Sequence, residues 1–149
     1  MTDKTLILIK PDGVKNKHIG DIINRFEERG FNILNVRMLT LNSDQASDFY
    51  SIHKEKPFFP ELIDYITSGP IVQVVLEGNS AIEVVRHMVV ATNSLKADSG
   101  TIRGDFGLSH TENVIHASDS VDSFNRELNI LSNISVSYTH LTLPTTPYV

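Results

Sequence analysis

The sequence has no cysteine and no tryptophan. Without cysteine there are no disulfides, no thiolate-ligated zinc and no thiol nucleophile. No apolar run approaches the ~18 residues that a membrane-crossing helix needs. The opening Met1-Thr2-Asp3-Lys4 is too short and too polar ahead of the first apolar run to be a signal peptide, so a cytoplasmic protein with no membrane partner is the expectation. Cations are the scarcer charge: 13 Lys and Arg stand against 18 Asp and Glu, a net −5. That balance favours solubility and disfavours broad nucleic-acid binding, while leaving room for a local basic pocket that takes phosphate. The commonest phosphate and hydrolase signatures are missing as well. There is no GxxxxGK[ST] loop, Gly100, Gly104 and Gly107 do not fit GxGxxG, and neither HExxH nor GxSxG occurs.

What is present has ordinary globular proportions. A chain of 149 residues with 40% hydrophobic and 21% charged residues is about one domain, neither disordered nor fibrous. Thr5-Leu6-Ile7-Leu8-Ile9 is a continuous apolar run, expected of a central strand covered on both faces. It ends at Lys10-Pro11-Asp12-Gly13, a loop or turn signal. Ile19, Ile22, Ile23 and Phe26 recur at helical spacing, with Gly30 placed to cap the C-terminus. In residues 31–41, Leu34, Val36 and Met38 share one face and Asn35 and Arg37 the other, which reads as a half-solvated strand. Ser43 is the expected N-cap of a helix reaching about His53. Leu62, Ile63 and Ile66 suggest a short helix stopped by Ser68-Gly69-Pro70. A strand over Ile71–Leu76 and a helix from Asn79 or Ser80 to about Val90 follow. Residues 91–112 read as a long loop, a length that is usually functional. Val114-Ile115 forms a short strand, and Ser118 or Asp119 caps a last helix with Val121, Phe124 and Leu128 on one face. The order predicts an α+β fold: a ferredoxin-like sandwich whose four-stranded antiparallel sheet is covered by helices.

The domain is expected over residues 1–130. Residues 131–149 contain no Asp, Glu, Lys or Arg and are rich in Thr, Ser and Pro. Two readings stand for them: a non-native or disordered tail of read-through sequence, or an arm that packs on a neighbouring subunit.

Of the six histidines, His116 has distinctive surroundings. It follows a short apolar strand and precedes Ala117-Ser118-Asp119-Ser120, a helix start whose free N–H groups and dipole suit phosphate. Glu127, further along that helix, is placed to reach back and hold the imidazole in one tautomer, the support a nucleophilic histidine needs.

Asn113-Val114-Ile115-His116-Ala117-Ser118-Asp119-Ser120 resembles the signature N-x-x-H-[GA]-S-D-S of nucleoside diphosphate kinases. The similarity extends over about residues 3–130. Ile9-Lys10-Pro11-Asp12-Gly13-Val14, Phe49-Tyr50, Lys56-Pro57-Phe58-Phe59, Ser68-Gly69-Pro70, Ala91-Thr92-Asn93 and Gly100-Thr101-Ile102-Arg103-Gly104-Asp105-Phe106 follow in family order. The resemblance implies ping-pong transfer of a γ-phosphate from a nucleoside triphosphate to His116, and from there to a nucleoside diphosphate. It implies that Lys10, Arg86 and Arg103 surround the phosphates and sugar, with Thr92 donating a hydroxyl to phosphate. Arginine suits phosphate because its planar fork donates two parallel hydrogen bonds. Phe58 would stack on the base with Leu62 beside it, and stacking accepts any base. Asn113 would bond the ribose, Tyr50 would lie beside the histidine, and Ser118 and Glu127 would support it. Mg²⁺ would bridge the β- and γ-phosphates, held by Asp119 through water. The resemblance also implies a homo-oligomer, hexamer or tetramer.

The sequence departs from the family pattern where Val90 replaces a usual Gly, Ser94 a usual Pro, and Asp98-Ser99 an Ala-Pro pair. If the Gly is needed for a positive φ, a β-branched Val is strained there. In the family the position near His110 is often apolar and touches the base. Two rivals follow: a nucleotide-binding regulatory module of the same fold with impaired turnover, and a ferredoxin-like nucleic-acid-binding domain. The acidic balance and the lack of a basic, aromatic stripe disfavour the second, so no specific nucleic acid is expected.

Overall fold

The computed structural model describes residues 2–90, 99–107 and 113–134. Strand β1 (Thr2–Ile9) lies inside a four-stranded antiparallel sheet of order β2-β3-β1-β4, with β2 spanning Asn32–Leu39, β3 Ile71–Asn79 and β4 Ile115–Ala117. This is the split β-α-β arrangement of a ferredoxin-like sandwich. Leu6 and Leu8 point to one face of the sheet and Ile7 and Ile9 to the other, and all four are fully buried. The two faces are covered by different helices. Helices α3 (Ser43–Phe49), α4 (Phe59–Ile66) and α7 (Val121–Ser132) pack on the Leu6 side through Phe49, Ile66, Phe124 and Leu131. Helices α2 (Ile19–Glu28) and α5 (Ala81–Val89) pack on the Ile7 side through Ile22, Phe26, Val85 and Val89. Burying a side chain such as Phe26 contributes about 1.5–3 kcal/mol. Gly30 carries φ +102 just past α2, the left-handed position that a C-terminal cap requires.

Several local features differ from the sequence reading, each for a physical reason. Lys10–Gly13 is not a loop: Pro11 opens a one-turn helix, α1 (Pro11–Lys15), where its missing N–H is not needed. The cap of α3 is Asn42, not Ser43. Asn42 and Gln45 form a reciprocal capping box, and the helix ends at Phe49 with a 3₁₀ turn continuing to His53. Strand β2 contains a bulge between Ile33 and Asn35, which leaves Leu34 and Val36 exposed at the sheet edge. On the face expected to be polar, Asn35 is exposed, while Arg37 is partly buried and donates to the carbonyl of Leu131 at 3.0 Å. The region read as a loop at 91–112 holds helix α6 (Ile102–Phe106), capped by Thr101 through the Gly104 N–H. Helix α7 continues to Ser132, with Leu131 and Ile134 buried in the core. Residues 135–149 lie outside the described residues. None of the described helices is long and apolar enough to cross a membrane.

Candidate active site

The site forms where β4, the first turn of α7, α3 and the 3₁₀ turn after it, α4, α5 and α6 converge. They enclose a cavity of about 390 Å³ lined by Lys10, Tyr50, Phe58, Leu62, Arg86, Arg103, Asn113, His116, Asp119 and Glu127. Ten of the twelve expected residues thus meet in one place, and Ser118 supports it from behind. Thr92, Ser94 and His110 lie outside the described residues.

His116 occupies the middle of the edge strand β4, with Leu8 of β1 opposite it in register. Its Nε2 lies 3.0 Å from Glu127 Oε1, and the Ser118 hydroxyl donates to the same oxygen at 2.6 Å. Glu127 and Ser118 are buried, while the His116 side chain is 20% exposed toward the cavity. A carboxylate accepting from Nε2 fixes the tautomer with the proton on that nitrogen. Nδ1 then keeps its lone pair and has no protein partner among the described residues. Phe49 and Tyr50 meet the imidazole edge-on at 5.1 and 5.9 Å and limit its rotation.

Cations flank this histidine on both sides. Arg103 donates to the carbonyl of Ile115 at 2.7 Å and Arg86 to that of Ala117 at 3.3 Å, so the two guanidiniums straddle His116 on its own strand. Burial and the neighbouring Arg86 charge lower Arg103 to about 10, which leaves it charged at neutral pH. A clip outside the site holds helix α6, and Arg103 with it. Arg25 of α2 donates to Asp105 at 2.6 Å and lies 4.6 Å over the Phe106 ring. Lys10 is buried and donates to Asn113 Oδ1 at 2.8 Å. Burial lowers its pKa from 10.5 to about 7, helped by Arg103 and opposed by Asp12. The Tyr50 hydroxyl is buried without a hydrogen-bond partner among the described residues, and burial with the nearby Glu127 charge pushes its pKa up. It therefore stays a protonated donor facing the cavity.

At the start of α7 the N–H of Ser123 is taken by the Ser120 side chain. The free helix terminus expected from sequence is partly capped, and the cations carry the attraction for anions. Asp119 is held below the usual carboxylate range by the Ser123 hydroxyl and Arg86, against the opposing effect of burial. Among the described residues no three His, Asp or Glu side chains gather into a metal cluster. Asp119 is the cavity-lining carboxylate not committed to His116. Such a donor set fits a cation that arrives on phosphate oxygens and meets the protein through water.

Sequence reasoning missed His53, Lys56, Ile52 and Ser123, which also line the cavity. The signal for two of them was available: Lys56 opens the quoted Lys-Pro-Phe-Phe stretch, and His53 lies one turn before it. Burial, the Lys56 charge and the nearby His116 and Lys10 lower the pKa of His53, against the opposing pull of Asp119.

A nucleoside diphosphate kinase family model matches residues 3–134. The chain is 52% identical over 130 residues to the nucleoside diphosphate kinase of Staphylothermus marinus, covering 87% of this chain and 92% of that one. Among solved structures it is similar to the nucleoside diphosphate kinase of Aquifex aeolicus, with a TM-score of 0.85, 39% identity and coverage of 88% and 95% of the two chains. The halophilic nucleoside diphosphate kinase of Halobacterium salinarum, solved in complex with CDP, matches with a TM-score of 0.85, 34% identity and coverage of 94% and 97%. A sheet of this order, a carboxylate-held histidine between two arginines, and similarity along nearly the whole domain agree: the chain belongs to the nucleoside diphosphate kinase family.

Proposed function

We propose that this enzyme moves the γ-phosphate of a nucleoside triphosphate to a nucleoside diphosphate through a phosphohistidine on His116. The observation that carries the proposal is the tautomer: Nε2 is engaged by Glu127 at 3.0 Å, so the lone pair of Nδ1 faces a cation-lined cavity. In the first half-reaction Nδ1 attacks the γ-phosphorus. The bond from that phosphorus to the β–γ bridging oxygen breaks, and the diphosphate leaves with the electron pair. The ring gains positive character, which the Glu127 carboxylate stabilises while Nε2 keeps its proton. The second half-reaction is the reverse with a different diphosphate. Arg86, Arg103 and Lys10 stabilise the charge on the oxygens in flight, and the Tyr50 hydroxyl donates to one of them. Phe58, partly buried against the core and 5.8 Å from the Lys56 ammonium, offers a ring face to the base beside Leu62. Asn113, steadied by Lys10, is placed for the ribose. Thr92 is assigned to phosphate from the family resemblance. Asp119 would hold a magnesium ion through water, and the ion would supply charge neutralisation to the nucleotide phosphates.

The CDP complex of the Halobacterium salinarum relative supports a nucleotide as the ligand. A homo-oligomer, hexamer or tetramer, belongs to the same proposal, and the exposed Leu34 and Val36 on the edge strand support it. So does a cytoplasmic location, where both nucleotide substrates occur. The decisive experiment mixes the protein with γ-labelled ATP and Mg²⁺, then measures acid-labile protein-bound phosphate and exchange onto an unlike diphosphate. Both signals are expected in the native protein and neither in a folded His116→Ala variant. Exchange undiminished in that variant would overturn the assignment.

A further inference from the structure

The residue following Asn113 has an unusual backbone. Val114 carries φ +75, and the Ile115 N–H donates to the Asn113 carbonyl at 2.8 Å. An i to i+2 bond around a positive φ is the rare, strained form of γ-turn, and a β-branched residue is among the least suited to it. The strained turn lies between Asn113 and the β4 strand that carries His116. Something must hold it there.

The Lys10–Gly13 segment does so. The Lys10 N–H donates to the Val114 carbonyl at 2.7 Å, and the Val114 N–H donates to Asp12 Oδ2 at 3.1 Å. Asp12 is buried, and its other carboxylate oxygen accepts from the Tyr65 hydroxyl of α4. The same hydroxyl oxygen accepts the Asp12 N–H at 2.9 Å. Gly13 leaves the room this closeness needs. A Cβ there would stand 2.7 Å from Ile9 Cγ2 and 3.2 Å from Val114 Cγ1.

We propose that Asp12 and Tyr65 are positioning residues: together they clamp the Val114 turn and thereby fix Asn113 and His116 relative to Lys10 and Arg103. The proposal rests on the roles given to Asn113 and His116 above. Neither Asp12 nor Tyr65 lines the cavity, and their effect passes through the backbone. Conservative variants separate charge from geometry. Asn at position 12 can still accept from the Val114 N–H, and its amide can donate to Tyr65, whose oxygen has a second lone pair. Ala at position 12 can do neither.

The test combines amide hydrogen exchange at Val114 with exchange kinetics between unlike nucleotides, on Asp12→Ala, Asp12→Asn and Tyr65→Phe. Asp12→Ala is expected to speed exchange at the Val114 amide about tenfold beyond any change at the β1 amides, and to lower kcat/KM about tenfold, the upper worth of one hydrogen bond. Asp12→Asn is expected to restore both, and Tyr65→Phe to fall between. A general loss of stability would instead accelerate all amides together and would not be rescued by Asn. A Val114 amide unprotected in the native protein, or Asp12→Ala with native kinetics, overturns the proposal. If Asp12→Ala does not fold, Tyr65→Phe decides, and native exchange at Val114 with native kinetics then overturns it. Should the native protein show no phosphoryl exchange, the assignment of His116 fails, while the amide comparison still decides whether the clamp exists.

Discussion

Val90 ends helix α5 with φ +39 and ψ 157, a region that residues with a Cβ avoid. Valine is a poor occupant because its branched Cβ crowds the flanking carbonyls. Such a residue costs on the order of 1–3 kcal/mol. Glycine would remove that strain at the expense of greater freedom in the unfolded chain, about 0.5–1 kcal/mol. Little packing is at stake, since Val90 is 36% exposed. Val90→Gly is therefore expected to stabilise the fold by about 0.5–2 kcal/mol. For a chain of this size that raises Tm by roughly 1–8 °C. The assay is thermal unfolding by circular dichroism at one fixed protein concentration, with Val90→Ala as the control. Alanine removes the branching but keeps a Cβ at positive φ, so it should gain less than half as much. A Val90→Gly protein that melts at or below the native temperature would refute the assigned strain.

Glu127→Gln keeps an acceptor for Nε2 but loses the charge that stabilises the ring as it takes phosphate; kcat should fall about 10–100-fold with KM little changed, read in steady-state exchange. Lys10, lowered from 10.5 to about 7, has a defined pH signature. Below about 7 it is charged in both folded and unfolded chains; between about 7 and 10.5 only the unfolded chain holds the proton, so stability should rise with pH across that window, and denaturant titrations will show it. A nucleotide polyanion draws the proton back, so binding at pH 7 should take up about half a proton. Calorimetry in buffers of different ionisation enthalpy measures this, and uptake equal to native in Lys10→Met would refute the assignment. Removal of residues 135–149 should leave exchange and melting unchanged; a large loss would show that they pack on a neighbouring subunit.

The legible parts of the fold were those in which one strong pattern acted alone. β1 could be read because both its faces are buried, so an unbroken apolar run had only one explanation. The cap of α3 was misread although its signal was printed: both Asn42 and Ser43 can cap, but only Asn42 has Gln45 three residues on. α1 and α6 are five-residue helices, too short for any periodicity, and Gly104 further lowers the apparent propensity of α6. The bulge in β2 was invisible because one inserted residue changes the face of Ile33 relative to Asn35 without disturbing the alternation after it: Val36 and Met38 share a face, and Met38 packs against the core while Val36 stays exposed. In the site, the motifs announced the residues that line the cavity but not what holds them. Asp12 was quoted inside a motif without a task, and Tyr65 belonged to no motif at all.

That division has an electrostatic side. Lys10 and Arg103 are both held below their ordinary pKa values chiefly by burial, so the empty site stores unfavourable charge. An isolated cation in that position would shed its proton or swing out to water. Here Arg103 keeps its proton, Lys10 keeps about half of its own near pH 7, and both stay in place because each is bonded to backbone or side-chain oxygens around the His116 strand: Lys10 to Asn113 and Arg103 to the Ile115 carbonyl. Those oxygens depend in turn on the Val114 turn and on its clamp. A transferring phosphoryl group then meets cations already stripped of water and aimed, so little reorganisation is needed as charge moves from leaving oxygen to imidazole. The strain at Val114, the buried lysine and the paired arginines are thus one device: the rigid backbone bears the cost of desolvation before the anion arrives, and the anion's arrival offsets it.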